Sequence, residues 1–204
     1  MIICYHKNMQ EEIKIKHRLY KIISLVKSHQ YFDSFVVSFK SKKYFMRKYK
    51  DTPSFLASLN NYQQLKKYGI NIPKLVAIDK KNNILLFKYI DGELVSNLLA
   101  KEDLKDVVFD GIFLIYRFAR FSKIDLNYMP EKYMFDGKEL YYVGEEFFAA
   151  NKDKNLENFG LRYWLTSLEG INHLEELGFD INKKRLIQKD EVNKKIVLIS
   201  ILRW

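Results

Sequence analysis

Cysteine and histidine are the side chains that most readily act as nucleophiles, proton shuttles or metal ligands, and this chain holds few of them. Cys4 is the single cysteine, so neither an intrachain disulfide nor a thiolate zinc cluster can form. The four histidines, His6, His17, His29 and His173, are scattered and make no HxxxH or HExxH pair, which argues against a structural metal. Charge is the larger chemical resource. Thirty-five Lys and Arg stand against 25 Asp and Glu, a net charge of +10 that suggests attraction to nucleic acid, nucleotide phosphates or acidic surfaces. Two stretches, YFMRKYK (44–50) and RFARFSK (117–123), interleave cations with aromatic rings, as a base-stacking surface would. On elements that bury one face, the same rings would simply be core.

These residues need elements to position them. The alternation in EEIKIKHRLYKIISLVK, Glu11 to Lys27, permits a strand at its start, but Ile13, Ile15, Leu19, Ile22, Ile23 and Val26 recur at mostly helical spacing, and a helix is expected there. SFVVSFKSKKYFMRKYK then reads as two antiparallel strands joined by a polar KSKK turn. Asp51, Thr52 and Pro53 start a helix whose stripe of Phe55, Leu56, Leu59, Tyr62, Leu65 and Tyr68 ends at two lysines and Gly69. A strand, a DKKNN turn and a second strand follow, closing on Asp91 and Gly92.

From Val95 to Ile124 the pattern is helical with a break near 101–105, and FDGIFLIYRFARFSKI is oily nearly all round, as expected of a helix buried at the centre of its lobe. Tyr128 to Phe148, YMPEKYMFDGKELYYVGEEFF, reads as two short strands around a turn, and one helix is expected through FGLRYWLTSLEGINHLEELG. The C-terminal KKIVLISILRW reads as a strand or a last helix, docked through Trp204. At 204 residues and 48% hydrophobic, the chain suffices for one compact domain or two small lobes. No run approaches the roughly 18 apolar residues of a membrane helix, and the N-terminus carries no secretory pattern, so no membrane partner and a cytoplasmic location are expected.

The order of elements, together with GINIPKLVAID, NNILLFKYIDGELVSNLL and DLNYMPEKYMFDGKELYYVGEEFF, resembles the protein-kinase-like superfamily. The likeness extends over roughly residues 35–165 and is greatest to small bacterial and archaeal kinases related to lipopolysaccharide-core kinases and to the kinase of tRNA threonylcarbamoylation. NLENFGLRYW is similar to the bacterial members. The resemblance implies an α+β, two-lobed fold, with a small antiparallel β-lobe over residues 1–90 and a mainly helical lobe over 91–204.

It also implies where chemistry should lie. Kinases hold ATP on Mg²⁺ and catalyse mainly by positioning and charge neutralisation. Arg47 and Lys48 stand where the family has its phosphate-binding lysine, on opposite faces of one strand, and Lys88, Tyr89 and Ile90 fall in the hinge segment that borders the nucleotide. Asp125 and Asn127 are the candidates for the proton-accepting position of the catalytic loop. Aligning Pro130 with the family's Pro-Glu-Asn turn puts Lys132 in place of the metal-binding Asn. Gly144 occupies the position of the metal-gripping Asp, with Glu145 and Glu146 next to it as the remaining candidate ligands.

Other parts are missing from the text. The first glycine is Gly69, beyond any phosphate-covering loop, and no glutamate lies between Glu12 and Glu93 to hold the lysine's equivalent. The strand and turn pattern persists where the charged chemistry does not. The first expectation is therefore a catalytically impaired pseudokinase that binds a nucleotide or a protein partner. Two alternatives stand beside it. One is an active, divergent ATP- and Mg²⁺-dependent phosphotransferase for Ser/Thr or a small molecule, using Asp125, Arg47 or Lys48, and Glu145 or Glu146. The other is a basic RNA-binding adaptor.

Overall fold

The computed structural model describes residues 12–101, 104–151, 155, 159–181, 194 and 197, and apart from Lys194 and Val197 the C-terminal expectation lies outside the described residues. The architecture is α+β, and the chain divides into two compact units: residues 1–60 with 73–89, and residues 61–72 with 90–204. Among the described residues, no helix is long and apolar enough to cross a membrane.

The first unit is a six-stranded antiparallel sheet. Its strands are β1 (Glu12–Ile15), β2 (Arg18–Ser28), β3 (Phe32–Phe39), β4 (Lys42–Tyr49), β5 (Leu75–Asp79) and β6 (Ile84–Lys88), in the spatial order β1-β2-β3-β4-β6-β5. The helix expected over Glu11 to Lys27 is instead β1 and the greater part of β2, turning at Lys16, whose φ is 55°. Strand period wins because Ile13, Ile15, Tyr20 and Ile22 all reach one apolar cluster with Val37, Met46, Ile84 and Leu86, whereas Leu19, Ile23 and Val26 of the helical stripe are exposed. Pairing with β3 supplies the tertiary context that local spacing lacked.

The β3–β4 hairpin turns through Lys40 and Ser41, both at positive φ (48° and 61°), the backbone twist that two-residue hairpins favour. The sheet curls around its apolar cluster until its two edge strands are tied. The Lys16 backbone N–H, in the β1–β2 turn, donates to Asp79 Oδ2 at the end of β5, 3.1 Å away. Asn82 closes the same corner, its N–H on Asp79 Oδ1 at 3.2 Å and its Nδ2 on Oδ2 at 3.0 Å. Burial alone would raise the Asp79 carboxyl, but these donors outweigh it and hold the group below the ordinary carboxylate value.

The helix after β4 is α1 (Thr52–Lys67), which begins as expected. Asp51 caps it, accepting from Ser54 N–H at 2.7 Å, and Gly69 ends it at φ 76°, a conformation that costs glycine nothing. Its first half packs on the sheet through Phe55 against Tyr49, whose hydroxyl lies 2.5 Å from Ser58 Oγ.

The second unit contains α2 (Val95–Ala100), α3 (Asp106–Phe121), α4 (Leu161–Thr166) and α5 (Leu168–Glu176). A three-stranded sheet orders β10 (Leu140–Tyr142), β9 (Tyr133–Phe135) and β7 (Glu93–Leu94), and β8 (Ile124–Leu126) pairs with β11 (Phe147–Ala149). The break expected near 101–105 separates α2 from α3. Helix α3 is one-sided, correcting the expectation of burial all round. Val108, Ile112, Ile115 and Ala119 enter the core, while Leu114, Phe118 and Phe121 remain exposed. The single helix expected over 159–178 is two, because Ser167 takes an extended conformation and caps α5 through Gly170 N–H at 2.9 Å.

Candidate functional site

Strand β10 carries the segment where the resemblance implies metal chemistry. Its last residue, Tyr142, is fully buried, with its ring 5.4 Å from that of Tyr133. Two hydrogen bonds hold the Tyr142 phenol: it donates to the backbone carbonyl of Glu146 at 2.6 Å and accepts from Asn127 N–H at 3.2 Å. The main chain from 142 to 146 therefore folds around its own tyrosine.

Gly144 lies directly under that ring. A Cβ at this position would be 2.4 Å from both Cζ and the hydroxyl oxygen of Tyr142, a contact real side chains do not make. The obstacle is a pinned, buried ring rather than the loose end of a flexible chain. No carboxylate can stand at residue 144 unless Tyr142 moves.

Asn127 and Glu146 are brought together. Asn127 Nδ2 donates to Glu146 Oε2 at 3.1 Å, and Asn127 Oδ1 accepts from Met129 N–H at 3.0 Å, which shapes the loop leading into a 3₁₀ turn at Pro130–Lys132. Lys132 Nζ lies 3.9 Å from the same Glu146 oxygen. Glu146 is about half exposed, so this ion pair adds little stability. Its effect is to direct the carboxylate toward an amide and an ammonium.

Asp125 is held by two protein groups. It is buried on β8, opposite Phe148 of β11, where one oxygen accepts from the Tyr116 hydroxyl at 3.3 Å and the other from the Asn151 backbone N–H. It joins β8 to the start of the next segment and to α3, and makes no hydrogen bond to Asn127 or Glu146. Glu145 is half-buried in the turn beside Gly144.

A magnesium ion requires several oxygen ligands converging at one point. Asp125 is engaged by two protein donors, Glu146 faces Lys132, and residue 144 has no side chain. Among the described residues, no group of three or more His, Cys, Asp or Glu side chains is placed to hold a metal.

In the first unit, alternation along β4 separates the two candidate cations. Arg47 shares a face with Phe45 and Tyr49, the face on which α1 packs, and its guanidinium sits between two rings, 5.3 Å from Phe32 and 5.5 Å from Phe45. Lys48 is exposed on the other face, in register with Asp33 and Ile84. Lys88 ends β6, its N–H on Lys74 O at 2.8 Å, and Lys43 Nζ lies 5.5 Å above the Tyr89 ring. Tyr89 is the last residue of the first unit, and Ile90 resumes the second.

The second unit also carries an open hollow of about 440 Å³, lined by Asp91, Gly92, Lys105, Phe135 and Asp136. Backbone N–H groups of Glu139 and Lys138 hold the Asp136 carboxyl below its ordinary value against a smaller effect of burial. Tyr141, on β10, is pushed up to about 12 by partial burial and by the acids it bonds, Glu139 and Asp136.

Two relationships escaped sequence reasoning. The Tyr142 clamp leaves only a faint trace, a glycine two residues after a strand-ending tyrosine. The pairing of Lys132 with Glu146 leaves none, since the two lie on different elements. Compared with known proteins, the chain matches no family model and no curated protein.

Proposed function

We propose that this chain is a kinase-like scaffold that has lost phosphoryl transfer and works by binding, with a nucleotide or a protein partner as its ligand. The observation that carries the reading is the Tyr142 ring over Gly144, which fills the space a metal-gripping aspartate would need. Three features support it. From the first hairpin onward, the hairpin, helix, two strands, two helices and short hairpin follow the order the resemblance implies, although the helix expected ahead of them is two strands. Asp125 satisfies backbone and tyrosine donors instead of facing open space. Glu146 is directed at Lys132, where the family binds a metal through Asn.

Phosphoryl transfer depends on metal ions that bridge the phosphates and neutralise developing charge, so losing their ligands removes the main catalytic contribution. Binding has no such requirement. The experiment is ATP turnover by the whole chain with Mg²⁺ or Mn²⁺, alongside thermal denaturation with and without nucleotide. The expected result is no turnover above a heat-treated control. Metal-dependent turnover that disappears in Asp125→Ala would overturn the reading and restore an active, divergent phosphotransferase. A nucleotide-dependent rise in melting temperature would identify the ligand as nucleotide, and no rise would leave the protein partner.

A further inference from the structure

The net charge of the chain is not spread over it. Residues 1–60 and 73–89, the first unit, contain sixteen Lys and Arg but only five Asp and Glu, a net +11. The second unit has nineteen of the former and twenty of the latter, a net −1. The entire basic excess therefore belongs to the six-stranded sheet and its connections.

Strand alternation and register show how some of that charge is arranged. The inner face of the sheet holds the apolar cluster around Val37 and Met46. The outer face, on whose Tyr49 end the first half of α1 packs, carries Lys14 on β1, Lys21 on β2 and Lys43 on β4, all exposed. Ser38 lies between the last two, paired with Lys21 on one side and Lys43 on the other. Neighbouring strands stand about 4.8 Å apart, so Lys21, Ser38 and Lys43 form a row across the sheet, with Lys14 two residues along β1 from that row, opposite Leu19. Glu12, opposite Lys21, is the one acid on this row. Beside it runs an aromatic row: Phe45 paired with Phe87 at 6.5 Å, Arg47 stacked between Phe45 and Phe32, and Tyr89 beneath Lys43. Phe32, Phe45 and Tyr89 are each partly exposed.

We propose that this outer face binds single-stranded nucleic acid, with the lysine row on the phosphates and the partly exposed rings as stacking positions for bases. The charge selects a polyanion, and the adjoining aromatic row selects bases over a simple anionic surface, because every base presents a π-face and a sulfated sugar presents none. The inference uses only the first unit and does not depend on whether the chain retains any kinase chemistry.

The test is fluorescence anisotropy with a labelled uridine oligonucleotide of about 12 nucleotides, within the range one such surface spans, and with the matching deoxythymidine oligonucleotide. Binding is expected to weaken with salt, with a log–log slope of about −2 for three phosphate contacts on a single strand. The triple change Lys14→Gln, Lys21→Gln, Lys43→Gln should weaken binding tenfold or more, and Phe45→Leu should weaken it severalfold with little change in the salt slope. Lys66→Gln with Lys67→Gln, in the second unit, should leave it unchanged. Circular dichroism melts of every variant establish that each is folded. Three results would overturn the proposal: no binding of either oligonucleotide at low salt; equal losses in the second-unit control; or heparin or phosphatidylserine vesicles binding as tightly as the oligonucleotides, with no effect of Phe45→Leu. ATP turnover, measured on the same preparations, fails or succeeds independently of these outcomes.

Discussion

The phenol of Tyr142 occupies the space where residue 144 would carry a side chain, 2.4 Å from the position of its Cβ. The ring is held by Glu146 O and Asn127 N–H, so relief requires breaking buried hydrogen bonds or moving the strand end. Gly144→Ala is expected to destabilise the protein by about 1–3 kcal/mol, the usual cost of overpacking. Gly144→Asp should cost at least as much and confer no Mg²⁺-dependent ATP binding. Urea unfolding and nucleotide titration of both variants check this. A stable Gly144→Asp protein that gains metal-dependent ATP binding would refute the clamp.

Asp125 is expected to behave as a structural residue. Removing its carboxylate leaves the Tyr116 hydroxyl and the Asn151 N–H without that acceptor in a buried place, so Asp125→Ala should lose about 1–3 kcal/mol of stability. Urea unfolding measures the loss. Unchanged stability together with an altered nucleotide response would contradict the assignment.

Acid should act through Asp79. Hydrogen bonds from Lys16 and Asn82 outweigh burial and lower its pKa in the folded state, so the folded protein holds this group ionised more readily than the unfolded chain does. The resulting stability is fully present above the unfolded value of about 3.9 and is lost as pH falls through the lower folded value. Asp79→Asn should therefore be less stable than the parent at pH 6, with the difference shrinking below about pH 4. Chemical denaturation at several pH values provides the comparison, and a constant difference would exclude the linkage.

The two sides of α3 should respond unequally. Ile112 is fully buried and Phe121 is 89% exposed. Ile112→Ala should cost about 2–5 kcal/mol through lost contacts and a cavity, whereas Phe121→Ala should stay within about 0.5 kcal/mol. Thermal melts of the pair test whether the helix is one-sided, as its packing indicates.

Much of the fold was legible because local signals agreed with the final contacts. The turn at Lys40 and Ser41, the cap at Asp51, the stop at Gly69 and the break after α2 all follow from residue types acting within a few positions. Glu11 to Lys27 was misread because its apolar residues satisfy two periods at once. Local spacing cannot choose between them; pairing with β3 and the curl of the sheet do. The outer surface of α3 was misread for a related reason, since an apolar side chain is no evidence of a neighbour to cover it.

The candidate site divides in the same way. Reading the text alone was enough to find an amide and a lysine near the expected loop, a glycine at the expected acid, and an excess of positive charge, because these are matters of composition and spacing. Only the folded chain decided that Tyr142 lies over Gly144, that Lys132 meets Glu146, that Asp125 accepts from Tyr116 and Asn151, and that the basic excess belongs to one unit. Those relationships join residues on separate elements, and their distances are determined by packing, which no local pattern along the chain encodes.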